Sequence, residues 1–463
     1  MRSFASLALV ATLVPAVFAA DPPADWKAGV ATAVITPTEP MWMAGYASRT
    51  KPSEGTAQEL YAKALAVEDA GGTRLVVVTL DLVSVPRSLR DRLADAVREK
   101  HRLPAEGLLV NCSHTHCGPE LRTGDVPRPG ETPERAKQAT AYARKLEGQL
   151  LDLVGAALKN LAPARLTYVR ARCGFAMNRR LPVAEGWANS PNPDGPVDHD
   201  VPVLRVEGAD GKPRAVLFGY ACHNTTLAFY QWCGDYAGYA QEFIERANPG
   251  AAALFLSGCG GDQNPYPRGT QDLARQHGEA LANAVAAAFQ TRARPVRGPL
   301  RAALDLAVID YAVPVPSKDD LIRRKETSKD TYERNRAERL LKHLEANGKL
   351  PTSYAAPVQA VRFGDDLLLV ALPGETVVDY SLRLKKELGG AGPAVWVAGY
   401  SNDVFAYVPS KRVLKEGGYE GGGAMRYSTY PHPGPFADTV EERVIGKARE
   451  LVDRVGTPAG KKP

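Results

Sequence analysis

Aromatic residues are scarce in this 463-residue chain, at 7%, and histidine, cysteine and methionine are scarcer, with 8, 6 and 5 copies. Imidazole or thiol chemistry must therefore come from a few positions. No glycine-rich dinucleotide fingerprint and no phosphate-binding loop occur, which removes the usual nucleotide-cofactor classes. No internal repeat is present, which removes solenoid architectures. Neither sign of charge dominates: 58 Lys+Arg face 52 Asp+Glu, for a net +6. The basic residues are dispersed rather than gathered in a stripe, which argues against nucleic acid as a partner. The one long apolar run follows Arg2 and covers residues 4–18, which is too short to span a bilayer comfortably. With Val17-Phe18-Ala19 as a cleavage region it predicts a signal peptide over 1–19, export to a periplasm or the exterior, and no transmembrane segment in the mature chain. In that compartment the six cysteines are expected to be packed thiols or disulfides. Metal ligation is a further alternative for Cys112, Cys117, Cys222 and Cys259.

Globular proportions accompany these absences: 44% hydrophobic and 24% charged residues, with 42 Gly and 36 Pro. Six apolar runs of strand length end in short polar, Gly-rich segments, at 75–81, 108–116, 215–223, 253–262, 367–375 and 394–402. Such runs read as buried strands. Between them lie helical patterns, the clearest placing Tyr142, Leu146, Leu150, Leu153, Val154 and Ala157 on one face. Others fall at 87–99, 271–289, 376–388 and 440–452. The alternation predicts an α/β layered fold with a mixed, partly parallel sheet and a metal site at strand ends. Residues 318–349, rich in Lys, Arg and Glu, read as a solvated helical excursion. The Pro-rich stretches 122–135 and 182–200 read as long irregular loops of the kind that wall a site.

Two histidines stand together in Asn111-Cys112-Ser113-His114-Thr115-His116-Cys117-Gly118-Pro119. In an extended segment residues two apart point the same way, so His114 and His116 are expected to reach one site. Neutral imidazole suits zinc, although two hydrogen-bonded histidines in a turn remain the plainer alternative. Other apolar runs end at His223, Asp262 and Glu375. Carboxyl ends of strands in open α/β sheets face a common crevice, and three histidines with a carboxylate there make a candidate catalytic zinc centre. Each residue keeps its alternative: His223 as a satisfied core histidine, Asp262 as a turn residue, Glu375 as a helix N-terminal acid.

With these residues the chain resembles the N-terminal catalytic domain of the neutral/alkaline non-lysosomal ceramidases. The resemblance runs from about Gly29 to Leu451. It rests on segments in family order at 29–37 with 43–46, 60–64, 114–119, 177–179, 222–225, 261–265, 372–375, 401–402 with Tyr407, and 419–421. It implies a zinc amidase that splits a lipid amide such as ceramide, with zinc held by His114, His223, Glu375 and Tyr407. His116, Arg179 and Tyr419 are implied as groups facing the substrate or supporting the ligands. Asp262 is implied either to orient a histidine or to shape the turn. Asn264 stands where the family carries a serine. It removes a covalent serine route and leaves a residue able to hydrogen-bond substrate or water.

The expectation is a single catalytic domain over 20–463 with the excursion at about 318–349, without the β-sandwich domain that full-length relatives append. The substrate is expected to be a small-molecule or lipid amide cleaved by zinc-activated water. A non-ceramide ester, a peptide-like amide, or a non-catalytic binding role are the alternatives.

Overall fold

The computed structural model describes residues 25–124, 131–390 and 392–456. The signal-peptide prediction for 1–19 and the centre of the loop at 122–135 lie outside the described residues. A nine-stranded sheet has the order Ala252–Ser257, Pro213–Tyr220, Asp200–Gly208, Ala162–Arg172, Trp26–Val34, Tyr61–Asp69, Arg74–Leu80, Leu108–Cys112, with Arg294–Val296 added beside Ala162–Arg172. A four-stranded sheet has the order Leu300–Asp310, Ser353–Phe363, Leu367–Ala371, Ala394–Ala398.

Side-chain alternation makes these sheets into inner layers. In Arg74–Leu80, Leu75 and Val77 join one core, while Val76, Val78 and Leu80 join another. In Leu367–Ala371, Leu367, Leu369 and Ala371 share that first core, while Leu368 and Val370 face a third. The shared core also holds Leu204, Leu217, Phe363 and Trp396, so the two sheets pack face to face through it. Helices cover the outer faces. A strand apolar on both faces reads as an unbroken hydrophobic run, which is why these segments stand out in the sequence.

Helix Pro133–Lys159 starts where the Thr132 hydroxyl accepts from Arg135 N at 3.3 Å, with proline in its first turn. It buries Tyr142, Leu146, Leu150, Leu153, Val154 and Ala157, the stripe expected from their spacing. The closing helix Val440–Gly456 buries Val440, Val444, Ile445, Ala448, Leu451, Val452 and Val455 against the outer face of the smaller sheet.

Three parallel strand pairs, each bridged by a helix, dominate the functional end. Arg74–Leu80 pairs with Leu108–Cys112 through helix Arg87–His101. Pro213–Tyr220 pairs with Ala252–Ser257 through Asp235–Ala247. Leu367–Ala371 pairs with Ala394–Ala398 through Val378–Leu388. The other pairings in both sheets are antiparallel, so the fold is mixed α/β. Asn111, fully buried, ties the three units at their carboxyl ends: its Oδ1 accepts from Ser257 N at 2.9 Å and its Nδ2 donates to Gly399 O at 2.7 Å.

Two sequence expectations change. The stretch 182–200 is not irregular throughout, because Gly186–Asn192 pairs antiparallel with Ala176–Val183. It is the outer strand of a three-stranded sheet, and an edge position tolerates Pro191. All six cysteines are buried free thiols, so the disulfide alternative does not hold. The charged stretch forms helices Lys318–Thr327 and Thr331–Asn347, with Leu321, Ala337, Leu340 and Leu350 as their own small core.

Candidate metal centre

The apolar run at 108–116 stops being a strand at Cys112, and His114 has φ 60. His114 and His116 therefore meet through a left-handed turn, not by the alternation of an extended segment. The turn still brings them together, with Nε2 to Nε2 at 3.1 Å. Tyr400 and Asn402 are also left-handed, at φ 49 and 64. Such backbone in non-glycine residues costs free energy and persists where its surroundings over-determine it.

His223 arrives from the loop after Pro213–Tyr220, and its Nε2 lies 3.1 Å from Glu375 Oε2 and 3.1 Å from the Tyr407 hydroxyl. His114 Nε2 lies 3.2 Å from the same Glu375 oxygen. Glu375 and Tyr407 are paired residues in a short parallel ladder, Glu375–Thr376 beside Tyr407–Val408. The structure thus brings His114, His116, His223, Glu375 and Tyr407 to one point. Ring nitrogens of the three histidines lie within 4.8 Å of one another, close enough to hold an ion.

The hydrogen bonds of the histidine rings suit a cation site. His114 Nδ1 lies 2.6 Å from Val83 O, and His223 Nδ1 lies 2.7 Å from Gly260 O. A backbone carbonyl only accepts, so each Nδ1 carries a proton, and Nε2 is the nitrogen left to offer a lone pair when the ring is neutral. Burial and the Arg179 charge push the His223 imidazole down to about 4, which keeps it neutral. With both rings neutral, two lone pairs face one carboxylate oxygen, an arrangement that a cation between them would satisfy. A tetrahedral ion with bonds of about 2.0–2.1 Å separates its donors by about 3.3 Å, close to the 3.1 and 3.2 Å found here. The donor set therefore fits zinc, with nitrogen and oxygen ligands of the kinds that ion takes.

Arg179, buried, spends all three guanidinium nitrogens on neighbours. Nε donates to Glu420 at 2.8 Å, one terminal nitrogen to Asn264 Oδ1 at 3.2 Å, and the other to the Tyr407 hydroxyl at 2.9 Å. Burial pushes the Tyr407 phenol up, and the Arg179 charge opposes it. Asn264 also accepts from Thr225 Oγ1 at 3.3 Å, so it serves as a fixed acceptor that aims Arg179.

His116 has a buried Nδ1 with no hydrogen-bond partner. Its imidazole is held well below the ordinary range by burial and by His114 and His223. Gly45, at φ +95, lets the chain approach this ring; a Cβ there would come within 2.4 Å of it. Tyr419 stands at the rim, 37% exposed, with its ring 5.4 Å from that of Tyr407. Burial of its inner face pushes its phenol up to about 12.

Asp262 is not turned toward the histidines. Its carboxylate accepts from Val378 N at 2.8 Å and Asn178 Nδ2 at 3.1 Å. It thus fixes the start of helix Val378–Leu388, two residues beyond the Glu375 ladder. Tyr400 lacked any signal in the sequence beyond its place at the end of an apolar run. It is fully buried, its ring lies 4.6 Å from that of His114, and its hydroxyl is 3.4 Å from His223 Nδ1.

The chain is similar to known proteins in sequence and in fold. The chain is 25% identical over 250 residues to neutral ceramidase A of Dictyostelium discoideum, a match covering 49% of this chain and 34% of that protein. The chain thus spans about a third of the length of that curated relative. The crystal structure of neutral ceramidase from Pseudomonas aeruginosa shares the fold, with a TM-score of 0.70 at 18% identity, covering 96% of this chain and 76% of that one. A ceramidase complexed with C2 matches with the same TM-score and identity, over 95% of this chain and 77% of that one. Residues 26–297, more than half the chain, match the family described as neutral/alkaline non-lysosomal ceramidase, N-terminal, and the chain belongs to that family.

Proposed function

We propose that the protein is a zinc-dependent hydrolase of amide bonds in N-acyl amines, with ceramide as the first candidate substrate. The observation that carries this reading is the convergence of His114 Nε2 and His223 Nε2 on one Glu375 oxygen, with the Tyr407 hydroxyl beside them. What zinc supplies there when bound is a water acidic enough to act as a nucleophile near pH 7, and polarisation of the amide carbonyl.

The chain's own residues do the rest. Val83 O and Gly260 O fix the two imidazoles in the ligating tautomer. Arg179 holds the Tyr407 oxygen in place and favours its ionised form. Tyr419, on the open side, can donate its hydroxyl proton to the carbonyl oxygen as charge builds there. His116 Nε2, 3.1 Å from His114 Nε2, is the ring nitrogen that faces the cluster and can take a proton there and pass it to the leaving amine. Asn264 carries no nucleophile, which suits a direct attack by water.

Support for export is the apolar run at 4–18. Among the described residues no helix is long and apolar enough to cross a membrane.

The test is an assay of purified protein on ceramide and a panel of N-acyl amines and esters, with chelator and with zinc added back. Amide hydrolysis that is lost on chelation and restored by zinc is expected. Cleavage of esters alone, or activity indifferent to chelator, overturns the proposal.

A further inference from the structure

Two chains of contact leave the metal cluster and meet again at the surface. Along one, the Tyr407 ring meets Tyr419 at 5.4 Å, Tyr419 lies 6.2 Å from Tyr427, and Tyr427 meets Tyr332 edge-on at 4.7 Å. Along the other, His116 packs edge-on against Tyr46 at 4.6 Å. Ala47, the next residue, accepts a hydrogen bond from the Tyr332 hydroxyl at 2.9 Å. The circuit closes on Tyr332, at the start of helix Thr331–Asn347 in the charged excursion. That excursion is fastened to the rim of the site elsewhere too. Asp330 pairs with Arg426 at 2.6 Å, and Arg339 donates to the carbonyls of Arg426 and Ser428 at 3.2 and 2.8 Å.

Tyr419, Tyr427 and Tyr332 are 37%, 43% and 36% exposed. Each ring is partly packed against its neighbour and partly open. Scattered exposed aromatics need no explanation, but a contiguous row continuous with a reactive centre is a surface built for a ligand. Tyrosine offers a rigid apolar face and a polar tip that keeps the row hydrated while it is empty.

We propose that Tyr427 and Tyr332 form the outer wall of a subsite for an apolar chain attached to the scissile amide, and so set the chain length the enzyme prefers. This rests on the amide-hydrolase reading above. At about 1.3 Å per bond of an extended chain, a chain of roughly a dozen atoms reaches from the cluster to Tyr332, whereas an acetyl group stops short of Tyr427. The bond from Tyr332 to Ala47 holds the outermost ring in place.

The experiment compares zinc-loaded wild type with Tyr427→Ala, Tyr332→Ala and Tyr332→Phe on two substrate series. One lengthens the acyl chain from acetyl to dodecanoyl on a short amine; the other lengthens the amine from butyl to dodecyl under a fixed acetyl group, and the series that responds identifies the chain. Both alanine variants are expected to lose about tenfold in kcat/KM on the long member through KM, equivalent to uncovering about two methylene groups, with the short member unchanged. Tyr332→Phe keeps the ring and is expected to keep the preference for long chains. Equal losses on short and long members, or no loss, overturn the subsite. If the wild type cleaves neither series, the amidase reading falls, and calorimetry with dodecanoate and dodecylamine reads the subsite alone. Weaker binding of either ligand by Tyr427→Ala sustains the subsite, whereas equal binding, or no binding to the wild type, overturns it.

Discussion

Glu375 and Tyr407 stand directly opposite one another in a parallel ladder two residues long, so a carboxylate and a phenol 32 positions apart are placed side by side by backbone alone. Gly374 makes this approach possible. It has φ +68, and a Cβ there would lie 2.6 Å from Ala406 O. Gly374→Ala is expected to push the two donors apart and lower zinc affinity by at least about tenfold, with the far-ultraviolet circular dichroism of the fold retained. Metal content after dialysis against a competing chelator checks this; wild-type retention of zinc would show that the ladder is not what sets the donor spacing.

Arg179 acts on the site through Tyr407, and its three nitrogens serve three different partners. A lysine keeps the charge but cannot reach Glu420, Asn264 and Tyr407 together. Arg179→Lys should therefore weaken zinc binding by about 10–100-fold, as loss of a group that orients a ligand does. Competition with a chromophoric chelator measures it. Unchanged affinity combined with a large fall in kcat would instead place Arg179 on the substrate.

Tyr419 and the ligands separate on the same measurement. His114→Ala and Glu375→Ala should lose zinc and activity together, since each removes a donor from the centre. Tyr419→Phe should keep about one zinc per chain while kcat falls roughly 10²-fold, the usual effect of removing one oxyanion donor. Equal zinc retention in all three variants would defeat this division of roles.

What the sequence revealed and what it hid have one physical cause. Leu75–Leu80, Leu108–Cys112 and Leu367–Ala371 are legible because both their faces are covered, so their side chains are apolar apart from the buried Thr79 and Asn111. Antiparallel strands such as Ala162–Arg172 alternate buried residues with Arg165, Arg170 and Arg172, and break the pattern that reveals a parallel strand. Helix Asp235–Ala247 is hidden by glycine at its start. Gly234 and Gly238 sit so close to Gln58 that a side chain on Gly238 would collide with it. At the site, His114, His116, His223 and Glu375 are visible as polar endings of apolar runs. Tyr407 and Arg179 are reached only by resemblance, because a two-residue ladder and a side-chain bond across 228 positions leave no local trace. Asp262 shows the converse: its position after an apolar run suggests chemistry, yet its partner is the amide of Val378.

Asp403 offers a test of electrostatics away from the metal. It lies under the smaller sheet's loops, where it accepts from the Tyr354 hydroxyl at 2.5 Å, the Tyr430 hydroxyl at 3.0 Å and Arg87 N at 3.2 Å. Burial outweighs these donors and pushes its carboxyl up to about 6. The folded chain therefore holds this proton more tightly than the unfolded chain, whose aspartates titrate near 3.9. The stability contributed by the group is full below about pH 4 and is lost as the pH rises through about 6. The loss is on the order of 2–3 kcal/mol for a shift of about two units. Asp403→Asn is neutral throughout and escapes that loss, although it gives up some hydrogen-bond strength at every pH. The stability of the variant relative to wild type should therefore improve by on the order of 2–3 kcal/mol between pH 4 and pH 8. Urea unfolding of chelator-treated protein at the two pH values measures the difference. A difference that stays flat would mean that the three donors, rather than burial, govern the carboxylate.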